Sequence, residues 1–379
     1  MKESIVIKNF GPVCEAEILD IKPMMVFIGE SGSGKSTIMK VIAMCQWIYK
    51  MMCIRSFLTQ SGISQSFRIR LDSCLKENGL IGCLRADSYI KYTNGSVVVE
   101  VSKQQLKGTS NKVPTDERTL EKIVFISDAR SVIPNLLEQN TSLKKMFYLN
   151  DTLENYLTAS DTIKQFKISD LGIMLDVRKS SQGTKHFISS ISNNDNYTIR
   201  LKDASSGMQN VVPMNLIIEY FSQYYDLVGS MNQSILSYVL KGDNWRAFKP
   251  THNISDFKNK RVTIFVEEPE LSLYPTNQLH LIDYMVNRCF VSTNKKCDMN
   301  LCIATHSPYI INYLNVLLKR DQSAQSFLEF DQLAVYRVYD GRLQNLLGID
   351  EAGKPIVDSY DLSETMQEIY DEYNLLCKL

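Results

Sequence analysis

The chain has no net charge: 42 Lys and Arg stand against 42 Asp and Glu in 379 residues. A balanced surface gives no global attraction to polynucleotide or anionic lipid, so any such contact has to be local. No Cys-x-x-Cys pair occurs among the nine cysteines (Cys14, Cys45, Cys53, Cys74, Cys83, Cys289, Cys297, Cys302, Cys377), and the four histidines are scattered. That argues against a structural zinc site, and an odd set of cysteines inside mostly apolar runs fits a reduced cytoplasm better than a disulfide framework. The amino terminus lacks the unbroken apolar stretch of a secretory signal, because Lys2, Glu3 and Lys8 interrupt it. The most apolar segment, 38–58, is broken by Lys40, Lys50 and Arg55, so a soluble protein without a membrane partner is expected. Only 17 Gly and 10 Pro accompany 44% hydrophobic residues, which excludes linker-like, collagen-like and largely disordered chains. There is no repeat with a period of about twenty to fifty residues and no sustained heptad, so an extended coiled-coil arm is not expected.

What is present is a core-forming chain of one large or two interlocked domains. Residues 4–8 and 15–21 read as strands joined by the turn Asn9-Phe10-Gly11-Pro12. Residues 24–28, apolar without alternation, fit a strand buried on both faces of a parallel sheet, and a helix starts at 35–37. Segments 67–71 and 88–101 look extended, the second split by the hairpin signal Asn94-Gly95. A further buried strand is expected at 123–126. Helix is expected over 134–171 from the spacing of Leu136, Leu137, Met146, Phe147 and Leu149. Then come a strand region at 186–201 with a turn at Asn193-Asn194-Asp195, helix at 211–240, a loop at 241–259, and strands at 262–266 and 301–304 around a helix at 276–290. The expected architecture is α/β with a mixed central sheet. Residues 1–130 form the first part of the core, with an antiparallel β subdomain at 67–101. Residues 131–260 form a helical lobe, and 261–379 complete the core.

Gly29-Glu30-Ser31-Gly32-Ser33-Gly34-Lys35-Ser36-Thr37 fits G-x-x-x-x-G-K-[ST] between a buried strand and a helix. Glycines let successive N–H groups converge on a phosphate chain at a helix N-terminus. Lys35 then reaches the outer phosphates and the Ser36 hydroxyl binds Mg²⁺. The strand 262–266 ends in Glu267-Glu268-Pro269-Glu270, where acids hold the metal's water shell and polarise an attacking water. Thr305-His306-Ser307-Pro308 follows the next strand, placing an imidazole where it senses the terminal phosphate. Asp203-Ala204-Ser205-Ser206-Gly207-Met208-Gln209 starts a helix between the P-loop and the acidic strand, as an ordinary cap or as an anion site.

Together the four elements resemble an ABC-type ATPase head of the SMC, RecF and OLD kind. They are most similar to the AAA-family ATPases of bacterial antiphage systems such as Septu and PARIS, over residues 5–376. The segments that carry the resemblance are Ile7-Lys8-Asn9-Phe10-Gly11-Pro12, the P-loop, Glu267-Glu268-Pro269-Glu270 with Leu273-Tyr274-Pro275, and Thr305-His306-Ser307-Pro308-Tyr309 with Asn312 and Leu314. The resemblance implies a P-loop NTPase fold, ATP and Mg²⁺, with Glu268 and His306 catalytic and Ser36 and Glu267 at the metal. Nucleotide would be bound by Gly29, Ser31, Gly32, Ser33, Gly34, Lys35, Ser36 and Thr37. It also makes Ser206, Gly207 and Gln209 part of a signature facing the nucleotide of another protomer, hence a homodimer or higher even oligomer. A separate nuclease or toxin effector is implied as partner.

The sequence departs from the family pattern in three places. Glu267 stands where Asp is usual, the signature lacks the Leu-Ser-Gly-Gly-Gln form, which implies slow hydrolysis, and Ser127-Asp128-Ala129-Arg130 replaces the Gln loop. Arg130 reads either as a nucleotide contact or as an ion pair steadying that loop. The alternative function is a RecF/SMC-like DNA-repair ATPase acting on DNA, for which Lys144-Lys145 and 258–261 are local basic clusters. A transporter motor is disfavoured by the missing Gln loop. Nuclease activity of the chain itself is not expected, because Glu100-Val101-Ser102-Lys103 has one residue too many for E-x-K and only about seventy residues follow His306.

Overall fold

The computed structural model describes residues 2–63, 67–139, 147–181, 183–191, 197–241, 248–250, 253–291, 297–321 and 323–376. The expected turn at Asn193-Asn194-Asp195 and the Lys144-Lys145 cluster lie outside them.

The strands in chain order are β1 (Glu3–Phe10), β2 (Val13–Ile18), β3 (Met24–Ile28), β4 (Tyr89–Asn94), β5 (Val97–Ser102), β6 (Gln105–Lys107), β7 (Thr119–Ile126), β8 (Gln165–Ile168), β9 (Ile173–Ser180), β10 (Gly183–Ser190), β11 (Thr198–Arg200), β12 (Asn259–Glu267), β13 (Asp298–Thr305), β14 (Leu333–Tyr339), β15 (Arg342–Asn345), β16 (Leu347–Ile349) and β17 (Pro355–Val357), the last two pairing as a small hairpin sheet. The helices are α1 (Lys35–Gln60), α2 (Leu71–Glu77), α3 (Ile133–Gln139), α4 (Phe147–Thr162), α5 (Ser206–Glu219), α6 (Leu227–Lys241), α7 (Pro275–Val286), α8 (Pro308–Lys319) and α9 (Glu364–Leu376).

Eleven strands form one mixed sheet in the order β6-β5-β4-β1-β2-β15-β14-β3-β13-β12-β7. Strands β14, β3, β13, β12 and β7 run parallel, whereas β2, β1, β4, β5 and β6 form an antiparallel wing. The lack of alternation in β3 has a simple cause. Met25 and Phe27 enter the apolar layer under α1, while Met24, Val26 and Ile28 enter the opposite layer with α5, α7 and α8. Because α1 is apolar around most of its circumference, it lies inside that layer. It is the one helix among the described residues long and apolar enough to cross a membrane, and 67% of its most apolar window is buried against the rest of the chain.

Two expectations are corrected. Segment 67–70 is not a strand, and Leu71 opens α2, because Leu71, Cys74 and Leu75 at helical spacing bury one face. The lobe within 131–260 is not purely helical. After α3 and α4, residues 165–168 alternate, with Phe166 and Ile168 buried, and begin a four-stranded antiparallel sheet of order β11-β10-β9-β8. In β9, Ile173, Leu175 and Val177 alternate inward and make the next strand.

Candidate functional site

The carboxyl ends of adjacent parallel strands bring the sequence motifs together, which is where open α/β sheets bind ligands. Registers Thr305↔Ile28 and Glu267↔Ala304 put the ends of β3, β13 and β12 level. The P-loop, the acidic turn and the His306 loop therefore emerge side by side.

In the P-loop, Gly32 (φ 80°) and Gly34 (φ 112°) take left-handed backbone that β-carbons disfavour. Ile38 N–H closes the first turn of α1 on Gly34 O at 2.9 Å. With glycine as N-cap there is no side-chain cap, and the first turn carries no acid. The amides of Lys35, Ser36 and Thr37 are thus the orphan donors of a helix start, the arrangement that receives a phosphate. Lys35, 5% exposed, donates from Nζ to Gly29 O at 2.8 Å and Glu30 O at 2.7 Å. Burial pushes its ammonium below the usual lysine value, and the carboxylates of Glu268, Glu270 and Glu30 act against that. The Ser33 hydroxyl is buried with no hydrogen-bond partner among the described residues. Ser31 and Gly32 are exposed at the loop's tip. A concave amide loop with a buried cation and an unmet hydroxyl fits a triphosphate.

A β-carbon on Gly29 would stand 2.3 Å from the main-chain carbonyl of Val338 on β14. Gly29→Ala is therefore expected to force β14 and the loop apart and to destabilise the fold by about 1–3 kcal/mol, measured as a shift of the urea midpoint, and to weaken nucleotide binding in the same protein.

At the end of β12, Glu267 and Glu268 diverge. Glu267 is buried and accepts from Lys40 Nζ at 3.0 Å; Lys40 lies one turn beyond Ser36 on α1 and over the rings of Tyr148 and Phe125. The Glu267 carboxylate, paired with Lys40, and the Ser36 hydroxyl one turn earlier on α1 are both oxygen donors of the kind Mg²⁺ takes. Glu268 adopts φ 45°, an uncommon conformation for a non-glycine residue, with its N–H on Ala304 O at 2.8 Å. Its carboxylate Oε1 is 3.4 Å from His306 Nε2, and both side chains are about one-third exposed to solvent. The site also contains Glu270, which the motif spacing holds but whose role the sequence does not reveal. Its Oε1 accepts the main-chain N–H of His306 at 2.6 Å, while Oε2 is buried with no hydrogen-bond partner among the described residues. The signal is the second acid of Glu-Pro-Glu.

Arg130 forms no ion pair among the described residues; its guanidinium turns to main-chain carbonyls instead. The side chain is wholly buried, and its donors meet four main-chain carbonyls: Nε to Asn210 O at 3.2 Å, Nη1 to Ser127 O at 3.1 Å and Glu267 O at 2.7 Å, and Nη2 to Glu268 O at 2.6 Å. Carbonyl dipoles solvate the buried cation. Burial pushes its pKa down to about 10, opposed by the charges of Glu270, Asp128, Glu268 and Glu267, so it stays charged at neutral pH.

At the start of α5, Ser205 caps the helix by accepting from Met208 N–H, and Ser206 is exposed. A β-carbon on Gly207 would come 2.8 Å from Ser272 O, so this helix end lies flat on the segment after the acidic turn. Gln209 turns inward: its Nε2 donates to Lys202 O at 2.6 Å and Ala204 O at 3.0 Å, so its amide shapes the loop before the helix rather than facing outward. Glu100 accepts from Ser102 Oγ at 2.6 Å, with Lys107 beside it at 3.8 Å, inside the antiparallel wing.

This geometry is that of an α/β nucleotide hydrolase. Residues 89–311 match the AAA ATPase domain family AAA_15, and the chain belongs to that family. It is an ATPase of the AAA type. The matched stretch holds Arg130, the α5 start, the acidic turn and His306. No curated protein matches. Among solved structures, the SMC head domain from Thermotoga maritima is similar at 12% identity and a TM-score of 0.36, covering 91% of this chain and 98% of that one. The SmcHead bound to the C-winged helix domain of ScpA gives 11% and 0.40, covering 92% and 98%. The dimeric post-hydrolysis ATP-binding cassette MJ0796 bound to ADP and Pi gives 11% and 0.32, covering 91% and 100%.

Proposed function

We propose that the chain binds and hydrolyses Mg·ATP between two copies of itself, and that it does so as the cytoplasmic ATPase subunit of a bacterial antiphage complex whose toxic chemistry resides in a separate effector. The observation that carries the ATPase part is the meeting of Lys35, Glu268, Glu270 and His306 at the ends of three neighbouring parallel strands. Lys35 and the amides of 35–37 hold the phosphate chain, and Ser36 with Glu267 would hold Mg²⁺, which on binding neutralises phosphate charge. Glu268 accepts the proton of the attacking water, and His306, next to its carboxylate, orients that water and contacts the terminal phosphate. Glu270 fixes the His306 main chain. The exposed Ser206 at an N-terminal helix end supplies donors to the nucleotide of a second copy. The antiphage assignment rests on the resemblance of the sequence motifs to the ATPases of such systems.

One experiment with two arms tests this reading. Turnover per chain is expected to rise with protein concentration as dimers form, and a tagged chain recovered from its own host is expected to bring down a nuclease or toxin. Concentration-independent turnover would contradict the shared site, and recovery with DNA-repair proteins instead would favour the RecF-like alternative.

A further inference from the structure

The buried guanidinium of Arg130 touches three segments that are far apart in sequence: its own loop after β7, the end of β12 and the first turns of α5. Two of its bonds go to Glu267 and Glu268, the residues on either side of the peptide that aims the acidic pair. The bond to Glu268 O, at 2.6 Å, restrains a residue whose φ of 45° costs energy unless its surroundings impose it. The carbonyl of the same residue also accepts Leu271 N–H at 3.2 Å. The bond to Asn210 O reaches the helix whose exposed end carries Ser206 and Gly207.

We propose that Arg130 is a positioning residue that holds Glu268 in its strained, aimed conformation and ties it to the signature helix, so that seating of that helix against a second copy and readiness of the base are one event. The proposal rests on the ATPase reading of the site. A planar fork of five donors suits this task. Lysine presents its three donors from one atom and does not span carbonyls of three segments.

Arg130→Lys is the test, with Arg130→Gln, which keeps a two-donor planar group, as the second variant. Both are compared with wild type for ATP affinity, kcat and melting, and each is also combined with Glu268→Gln. The expected result is a folded protein with ATP affinity within about threefold of wild type and kcat reduced by about 10- to 100-fold, as for a misaimed reacting group. In the Glu268→Gln background the same change is expected to cause no further loss, because both act through one carboxylate. An unchanged kcat, an equal loss in the Glu268→Gln background, or unfolding of both variants would overturn the assignment, the last two by making Arg130 a general structural residue. These outcomes differ from failure of the site reading, in which wild type itself would neither bind nor hydrolyse ATP.

Discussion

Glu268→Gln is expected to lower kcat by about 10²–10⁴-fold, the range a positioned general base supplies, while leaving ATP binding intact. The substitution keeps side-chain volume and the main-chain bonds that fix residue 268, its N–H on Ala304 O and its carbonyl on Arg130 Nη2. What it removes is an oxygen able to take a proton. With turnover blocked and nucleotide held, the chain should accumulate as an ATP-dependent dimer, seen by light scattering as a doubling of mass on adding Mg·ATP. A Gln variant that turns over at the wild-type rate would take the base role away from Glu268. It would also direct attention to Glu270, whose buried Oε2 has no hydrogen-bond partner among the described residues.

Lys35→Ala is expected to weaken ATP binding by about 10²-fold. A hydrogen bond from a charged donor contributes about 1.5–3 kcal/mol, and about 1.4 kcal/mol corresponds to tenfold in affinity. Loss of fold is not the expected cause. Ala is well tolerated at a helix start, and the bonds lost are two to loop carbonyls of Gly29 and Glu30. Removal of a partly desolvated ammonium also relieves part of the cost of burying it. Calorimetric titration with a non-hydrolysable analogue reads the effect, and an affinity within twofold of wild type would show that the phosphates lie elsewhere.

The strand-loop-helix frame of the site was legible because its information is local. A five-residue apolar strand, glycines at left-handed positions and a Lys at a helix start are each set by near neighbours, and so are Glu268 at a strand end and His306 after the next. The function of Arg130 was not legible, because its partners at 210, 267 and 268 lie 80 to 138 residues away and are carbonyls, which every residue type provides. For Gln209 the motif analogy carries no information on the loop's path, which folds the amide back on Lys202 and Ala204. The strand region at 186–201 covers most of β10 and all of β11, but β8 and β9 were missed because Phe166, Ile168, Ile173, Leu175 and Val177 lie in short alternating runs soon after a helix, where the two periodicities overlap.

The two strands that flank β3 are β13 and β14, and the Val338 carbonyl closes the floor under Gly29. The phosphate-gripping segment at 29–37 is therefore walled in by strands at 298–305 and 333–339, far from it in sequence, so the grip is completed only by long-range strand pairing. A change that loosens β13 or β14 would thus be felt first at the phosphates, although neither strand carries the P-loop.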